Sequence, residues 1–254
     1  LEDLRSKMSL VDKAVAGLQT YVLPSAIVER TLGLTKVKAD DVITIIFTSG
    51  STGTPKGVML TYGNVGSNVE AIDTVVRLNS TDMLVGILPF FHSFGFTVTL
   101  WTVLSLDIGG VYHFNPLDGK IVGKIVEKYK GTVLLSTPTF LRTYLRRCEK
   151  EEFQSLDVVV AGAEKLPPDL CDAFEQKFGI RPAEGYGTTE LSPLVSVNIP
   201  PSRSLGSDQI DRKEGTVGRP VPGVSAKITD PETGAERPTG EAGMLWIKGP
   251  NVMK

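Results

Sequence analysis

The sequence predicts an α/β fold in which layered sheets carry flanking helices, with a small β-region near the end of the chain. From Val42 onward, short β-branched runs alternate with longer amphipathic stretches, which is the pattern of strands joined by crossover helices. The chain has 254 residues, of which 41% are apolar, so it can bury a sizeable core. We therefore expect a largely parallel sheet with helices on its faces.

The predicted strands are short and rich in branched aliphatic residues. They comprise Val42–Phe47, Leu84–Leu88, Gly110–Phe114, Thr132–Ser136, Leu156–Ala161 and Arg181–Tyr186. Helices are predicted between them, at Asn64–Leu78, Phe94–Leu106, Gly119–Tyr129, Thr139–Cys148 and Pro168–Phe178. Val42–Phe47 is expected to be a buried strand. Phe94–Leu106, at about 13 residues, is too short to span a bilayer and is expected to be a buried helix.

Composition divides the chain into three regions. Residues 1–41 are predicted to form a leading helix and a connector, residues 42–192 the α/β core, and residues 193–254 a loop with a small β-subdomain. The proline- and charge-rich residues 200–214 are expected to form an exposed loop whose order the sequence leaves open. Turn-forming residues then separate two runs that are predicted to pair antiparallel, Val221–Ile228 and Met244–Lys248.

Charge and cysteine content exclude several functions. The formal net charge is −2, so there is no basic excess for binding nucleic acid. Cys148 and Cys171 lie in separate predicted helices without metal-ligand spacing, which predicts reduced thiols of a cytoplasmic protein. No signal peptide is visible and the first residue is Leu1 rather than Met, so we expect the sequence to be part of a longer protein.

A loop dense in glycine and hydroxyl residues follows the first predicted strand. Residues 48–57 read Thr-Ser-Gly-Ser-Thr-Gly-Thr-Pro-Lys-Gly. Glycines let backbone N–H groups approach an anion, hydroxyls donate hydrogen bonds and Lys56 adds a positive charge, so the loop is predicted to hold phosphate. It is not a Walker loop, because Gly57 rather than a hydroxyl residue follows Lys56. A flexible turn remains the alternative.

A second glycine-rich segment follows the last predicted strand of the core. Residues 184–190 read Glu-Gly-Tyr-Gly-Thr-Thr-Glu, and ligands of open α/β sheets bind beyond the carboxyl ends of strands. The ring of Tyr186 can stack on a base, and the hydroxyls of Thr188 and Thr189 can bond phosphate. Glu190 offers the oxygen ligand that Mg²⁺ prefers. The alternative is a turn that caps a helix.

Two other segments carry weaker signals. His92 lies in Leu88–Gly95 beside a predicted helix start, where it is either a hydrogen-bonded structural residue or part of a site. Val160–Leu166 follows a strand and contains small residues that could leave room for a ligand, although a tight turn also explains its glycine. Gly240–Asn251 is expected to be structural β-sheet.

Taken in order, these segments resemble the signature motifs of the AMP-forming adenylating enzymes, the superfamily of acyl-CoA synthetases and luciferases. The resemblance implies ATP and Mg²⁺ as cofactors. It implies that the first loop binds the ATP phosphates through Thr48, Ser49, Gly50, Ser51, Thr52 and Gly53. It implies nucleotide contacts from Gly162, Ala163, Glu164, Gly185, Tyr186, Gly187 and Thr189. The catalytic candidates are Lys56, His92 beside the carboxylate, Thr188 on a phosphate, and Glu190 as the magnesium ligand.

Within the superfamily, Val159–Leu166 and Ser192–Asn198 look most like the acyl-(acyl carrier protein) synthetase part of bifunctional 2-acylglycerophosphoethanolamine acyltransferases. The ribose-binding motif and the lid domain with its catalytic lysine would follow Lys254, so we expect a truncated large domain that is inactive alone. Membrane contact is expected only through other domains of a cytoplasmic protein, with association to the inner membrane left open.

The function implied is activation of a fatty acid to acyl-adenylate and transfer to a thiol of acyl carrier protein or CoA. The alternatives are another adenylate-forming ligase, either an aryl-CoA ligase or an amino-acid adenylation domain, or a non-catalytic nucleotide-binding domain of the same fold. An amino-acid site would want an acidic group near His92. An apolar chain is suggested there instead by Phe90, Phe91, Phe94 and Phe96.

Overall fold

The computed structural model describes residues 7–49, 53–204 and 211–254, and its mixed α/β architecture confirms the predicted fold class. The chain divides into two compact units, Leu1–Asp41 and Val42–Lys254. The finer subdivision at residue 193 stays a prediction. Among the described residues, no helix has both the length and the apolar character that a bilayer crossing requires.

The first unit consists of short helices. Helix α1, Leu10–Tyr21, begins at a capping box in which Ser9 and Asp12 bond each other's backbone N–H groups. Helix α2, Ser25–Thr31, begins after Pro24, and a 3₁₀ turn follows at Leu34–Lys36. Neither α1 nor α2 buries a residue. A second helix therefore lies where a connector was predicted.

A seven-stranded sheet forms the centre of the second unit. Its strands are β3 Met83–Gly86, β4 Gly109–Tyr112, β5 Val133–Ser136, β6 Val158–Ala161, β7 Ala183–Gly187, β8 Leu194–Val197 and β9 Arg219–Pro220. Their order across the sheet is β4-β3-β5-β6-β7-β8-β9. The first five strands in that order pair in parallel, and β8 and β9 add antiparallel pairs at one edge. Every residue of β5 and β6 is buried, as expected for central parallel strands.

Helices alternate with these strands at the predicted positions, within two residues at each end. Three of them begin at side-chain caps: the hydroxyls of Thr61 and Thr137 and the carboxylate of Asp118 each accept a bond from the first turn. The helices are α3 Tyr62–Val76, α4 Thr102–Ser105, α5 Gly119–Tyr129, α6 Pro138–Arg147 and α7 Pro168–Phe178. The core between α5, α6, α7 and the sheet contains a cluster of stacked rings, Tyr144, Phe153, Phe174 and Phe178.

The segment predicted as a buried helix at Phe94–Leu106 is a π-helix over Phe94–Trp101 that continues into α4. Thr97, Thr99 and Thr102 are fully buried along it, and the Thr99 hydroxyl donates to the carbonyl of Gly95 at 2.6 Å. Wide π turns are often found at functional sites.

The prediction that Val42–Phe47 is a buried strand was wrong. It forms β1, Val42–Thr48, which pairs antiparallel with β2, Lys56–Thr61, in a separate two-stranded sheet. Only Ile46 of β1 is buried, and Phe47 is 73% exposed. A continuous β-branched run was taken for a strand covered on both faces, but only one face of this hairpin is packed, with Ile46, Val58 and Leu60 in a cluster with Val65 of α3.

The small antiparallel β-region near the end of the chain is present as β10, Ser225–Thr229, and β11, Met244–Lys248, which pair over their whole length. The expectation of an exposed loop at residues 200–214 is confirmed for most of its described residues, but not for Pro200, which is buried, or for the Arg203 side chain, which is 9% exposed. Arg203 is buried against Asp82, and Lys213 N–H donates to Asn198. Residues 205–210 lie outside the described residues. Asp82 and Asn198, which are buried residues next to the ends of β3 and β8, hold this segment, and local composition does not indicate such partners.

Both cysteines are free and buried. Burial raises the pKa of the Cys148 thiol to about 12, with a smaller contribution from the charge of Glu152. A thiol with so high a pKa is not a nucleophile at neutral pH.

Asp82 and Arg203 form a buried ion pair with bonds of 2.7 and 3.1 Å, and Thr132 also donates to Asp82. Burial opposes ionisation of Asp82. Hydrogen bonds from Arg203, Thr132 and Asn79 and the charge of Arg203 outweigh it, and they hold the pKa of Asp82 below its usual value.

We predict that Asp82→Asn lowers the free energy of unfolding by about 2 kcal/mol at pH 7, because it removes one of the two carboxylates, Asp82 and Asp157, that pair with the Arg203 guanidinium. The native pKa is the lower one, so the pair stabilises the fold above the unfolded pKa of about 4 and loses this effect as pH falls through the native pKa. Urea unfolding at neutral and acid pH measures this, and the difference between the wild type and the Asp82→Asn variant should shrink in acid.

The control is Asp172→Asn, which removes an exposed pair with Arg181 and should cost less than about 1 kcal/mol. Equal losses in the two variants would contradict the assignment.

Candidate active site

A cavity of about 680 Å³ opens at the carboxyl edge of the parallel sheet. Its walls come from the segments that directly follow β3, β5, β6 and β7, together with α3, the π-helix and the β1–β2 hairpin. The carboxyl ends of parallel strands meet at one edge of a sheet, so the loops after them converge there. The cavity therefore lies where the topology of the sheet predicts a ligand site.

The lining changes character with depth. Its polar mouth consists of exposed or half-buried side chains, namely Thr48, Ser49, Lys56, His92, Thr188, Thr189 and Glu190. Its interior consists mainly of aliphatic side chains that are less than 9% exposed, namely Ile72, Val76, Leu88, Val98, Leu135, Val160 and Val197. The rings of Phe94 and Phe140 and the buried hydroxyls of Ser93 and Thr137 also line the cavity. Lys56 and Glu190 are the formally charged side chains among the described lining residues. This arrangement suits a molecule with a charged end and an apolar body.

The hairpin brings the two ends of the glycine-rich loop to the mouth. Thr48 and Lys56 are directly opposite each other in the β1–β2 register. Thr48, Ser49 and Lys56 line the cavity. Gly50, Ser51 and Thr52 lie outside the described residues, and Gly53, with φ of 81°, is not among the described lining residues.

The segment after β7 contributes the largest share of the mouth. All predicted residues from Gly185 to Glu190 line the cavity. A Cβ atom at Gly187 would collide with the carbonyl oxygen of Pro193, so only glycine allows the chain to fold back so closely. Thr188 N–H donates to that same carbonyl at 3.0 Å, and the hydroxyl of Ser93 lies 3.4 Å from that of Thr189. The Glu190 carboxylate has no hydrogen bond or ion pair with any described residue.

His92 lines the cavity and is exposed, with its ring 4.8 Å from that of Phe91. Of the phenylalanines expected around an acyl pocket, Phe94 is the one that lines this cavity. The expectation for the other three was wrong. Phe96 packs against the hairpin core, Phe90 stacks edge-on against Tyr112, and Phe91 is 73% exposed. The irregular turn and the π-helix rotate these side chains away, which their spacing in sequence did not indicate.

The segment after β6 is only partly at the cavity. Gly162 and Ala163 line it, and Phe94 lies against Gly162, where an added Cβ would approach the ring to 3.3 Å. Glu164 is not a lining residue and accepts a bond of 2.8 Å from the hydroxyl of Thr139 instead. Small residues at this point leave the edge of the sheet open.

Sequence reasoning missed several wall residues. Ile72 and Val76 come from α3, while Thr137 and Phe140 come from the start of α6. The sequence could have indicated Thr137 as a lining residue, because its capping hydroxyl comes directly after a predicted strand. No local signal marks the α3 residues, because a helix face turned to a cavity has the same pattern as one turned to the core.

The mouth of the cavity offers one group that suits Mg²⁺, the carboxylate of Glu190. Mg²⁺ typically takes one or two protein carboxylates and fills its other positions with water and substrate phosphate. Glu190 supplies one carboxylate that has no competing partner among the described residues. No described group of three His, Cys, Asp or Glu side chains could form an all-protein metal cage. A weak, phosphate-assisted magnesium site is compatible with these residues.

Comparison with known proteins agrees with this arrangement. A family model described as AMP-binding enzyme matches residues 6–254. The chain is 32% identical over 235 residues to the long-chain-fatty-acid–CoA ligase of Bacillus subtilis (strain 168), covering 89% of this chain and 40% of that protein. It is 30% identical over 227 residues to 4-coumarate:CoA ligase 1 of Petunia hybrida, covering 86% of this chain and 41% of that protein.

The solved structure of ATP-bound MatB from Rhodopseudomonas palustris superposes with a TM-score of 0.71 at 34% identity, covering 85% of this chain and 41% of that one. The chain spans about two fifths of the length of the curated relatives it matches. A match that runs over nearly the whole chain, together with the shared fold, shows that this chain belongs to the AMP-binding enzyme family of the acyl-CoA synthetase and luciferase superfamily.

Proposed function

We propose that the protein carrying this chain activates a fatty acid with ATP and passes the acyl group to a thiol. The observation that carries the proposal is a cavity in which a polar, cation-bearing mouth leads into a mainly apolar interior. A fatty acid has the matching shape, with a carboxylate at one end and an apolar chain behind it. The similarity to a long-chain-fatty-acid–CoA ligase supports this choice of acid.

Activation is needed because a carboxylate oxygen is a poor leaving group. A carboxylate oxygen of the acid would attack the α-phosphorus of ATP, forming a C–O–P link and breaking the bond to the β-phosphate, so that pyrophosphate leaves. The thiol sulfur would then attack the acyl carbon, forming the thioester as AMP departs and the thiol proton is lost to solvent. Both steps are transfers in which charge builds on phosphate oxygens.

The polar mouth supplies groups that can neutralise this charge. Lys56 provides a mobile cation, while the hydroxyls of Thr48, Ser49, Thr188 and Thr189 provide donors. Glu190 would hold Mg²⁺, which supplies positive charge next to the phosphates when bound. His92 stands at the same mouth and would orient the carboxylate.

Tyr186, Gly162 and Ala163 also line the cavity, and we propose that they form its adenine-binding wall. The half-buried ring of Tyr186 gives a flat surface on which adenine can stack, and the two small residues leave space beside it. Glu164 was assigned to the same wall from the resemblance, and we propose it only as a rim residue, since it bonds Thr139.

The interior favours an aliphatic acid over the alternatives. An amino acid would bring an ammonium group into the cavity, and the described interior contains no acidic side chain to receive it. An aromatic acid is the second candidate, because relatives named 4-coumarate–CoA ligases match almost as well. The acceptor thiol is proposed to be that of CoA, as in the names of these relatives, with acyl carrier protein as the alternative.

We predict that Glu190→Gln lowers the rate of acyl-adenylate formation by at least about a hundredfold, since it removes the carboxylate proposed for magnesium. The melting temperature should barely change, because Glu190 is exposed and its carboxylate bonds no described residue. Acid-dependent ATP–pyrophosphate exchange by the full-length protein measures the rate. The matched control is Glu236→Gln, an exposed glutamate away from the cavity. Normal exchange by the Glu190 variant would refute the role.

A series of acids of increasing length tests the substrate class. Each added methylene that enters the interior is worth about 0.8 kcal/mol, so kcat/KM should rise about fourfold per carbon until the cavity is filled. Pyrophosphate release from saturated acids, compared with that from aromatic and amino acids, measures the preference. A maximum at an aromatic acid would favour the second candidate, and a flat profile would contradict both.

Substitution of a residue that lines the interior tests which length of acid the cavity accepts. Ile72→Ala should let longer acids be used, because this side chain lines the interior. Ile46→Ala is the matched control, because Ile46 is equally buried at 4% exposed but packs in the hairpin. Each change should cost about 2–5 kcal/mol of stability, and only Ile72→Ala should alter the length profile. A shifted profile in the control alone would show that the cavity is assigned to the wrong residues.

A further inference from the structure

We infer that Asn251 is a positioning residue that sets the place of Glu190 in the mouth of the cavity. It belongs to a segment, Pro250–Lys254, that we term the strap. Asn251 is 1% exposed and is not among the residues that line the cavity, so it can act only through other residues. The inference rests on the proposed function, which gives Glu190 its role as magnesium ligand, whereas the hydrogen bonds of Asn251 do not depend on that proposal.

The strap bonds the turn that carries Glu190. The side-chain amide of Asn251 donates to the carbonyl oxygens of Leu191 at 2.9 Å and Leu194 at 3.2 Å. The hydroxyl of Ser192 donates to the carbonyl of Asn251 at 2.8 Å, and Met253 N–H donates to the carbonyl of Glu190 itself at 2.8 Å. The carbonyl of Glu190 and the backbone directly after it are therefore fixed by bonds to the strap.

The strap also bonds the hairpin side of the site. The amide of Asn64, at the start of α3, donates to the carbonyls of Pro250 and Val252, each at 2.8 Å. Lys254 N–H donates to the carbonyl of Met59 in β2, the strand that begins with Lys56. One short segment thus joins the turn with the proposed magnesium ligand to the hairpin with the proposed phosphate cation.

The chemistry of these bonds explains the residue type. Both partners of the Asn251 amide are carbonyl oxygens, so its NH₂ group must face them, and an aspartate would place negative charge against two acceptors. Gly249 leaves room for the side chain, since a Cβ there would come within 2.5 Å of the Asn251 oxygen. That oxygen, Oδ1, is buried without a partner among the described residues.

The Asn251 amide donates two bonds, which tie the carbonyl of Leu191, in the turn after Glu190, to that of Leu194 in β8. A metal ligand needs such support, because outer groups that orient a ligand control how well it binds. The geometry therefore points to a role in presenting Glu190 to phosphate-bound magnesium.

The test compares Asn251→Ala with Asn198→Ala in the full-length protein. Asn198 is a matched control: it is 3% exposed, its amide also donates to two carbonyls, those of Glu184 and Thr216, and it does not line the cavity. Calorimetry measures ATP affinity with and without Mg²⁺, and pyrophosphate exchange gives kcat together with the KM of the acid.

For Asn251→Ala we expect about a tenfold loss of ATP affinity in the presence of Mg²⁺ and a similar loss of kcat. Without Mg²⁺ the ATP affinity should stay near that of the wild type, and so should the KM of the acid. For Asn198→Ala we expect a lower melting temperature with the Mg²⁺-dependent step unchanged. An Asn251 variant that loses only stability, or an Asn198 variant with the same binding defect, would overturn the inference.

Two further outcomes are informative. If Asn251→Ala fails to fold, Ser192→Ala decides, since it removes only the hydroxyl bond to the strap; it should give a smaller defect of the same kind, and wild-type binding would refute the inference. If the wild type binds ATP with Mg²⁺ but shows no exchange with fatty acids, the proposed substrate is wrong. The calorimetric comparison still decides the role of Asn251 in that case.

Discussion

Parallel pairing of β3, β5, β6 and β7 is the constraint on which the rest of this structure depends. It places the carboxyl ends of these strands at one edge of the sheet, so the segments that follow them converge on one cavity. The pairing is maintained by burial: every residue of β5 and β6 is buried, and helices cover the sheet. Alternation of strands and helices along the chain does not by itself bring these side chains together. The parallel pairing does, because it places the strand ends at the same edge of the sheet.

Buried polar side chains hold the segments at the mouth of the cavity in place, as apolar packing holds the strands of the sheet. Asn64, Asn68 and Asn251 are each at most 9% exposed, and their amides bond backbone carbonyls of segments far away in sequence. Burial strengthens such bonds and makes their absence costly, so each one specifies a single arrangement of the turn it holds. The side chains at the mouth, by contrast, have few partners. Lys56 and Glu190 are exposed and form no ion pair with described residues, which leaves them available to a ligand.

The apolar interior of the cavity reflects a compromise between stability and binding. Protein cores are normally packed without large voids, and a volume of about 680 Å³ lined by aliphatic side chains forgoes many contacts. The π-helix contributes to this opening, since its wider turns carry Phe94 and Val98 to the cavity and turn Phe96 toward the hairpin. A cavity with a polar mouth and a mainly apolar interior suits an amphiphilic ligand.

The sequence by itself determined the α/β class, the central strands and helices to within two residues, and the segments that meet at the mouth. These follow from local periodicity, from caps and from motifs whose chemistry is carried by residue type, as in residues 185–190. The tertiary structure alone decided that β1 belongs to a half-exposed hairpin, that Ile72 and Val76 line the cavity, and that Asn251 bonds the turn of Glu190. The physical reason is that burial, cavity lining and long-range hydrogen bonds depend on which distant segments meet, and no local pattern records that.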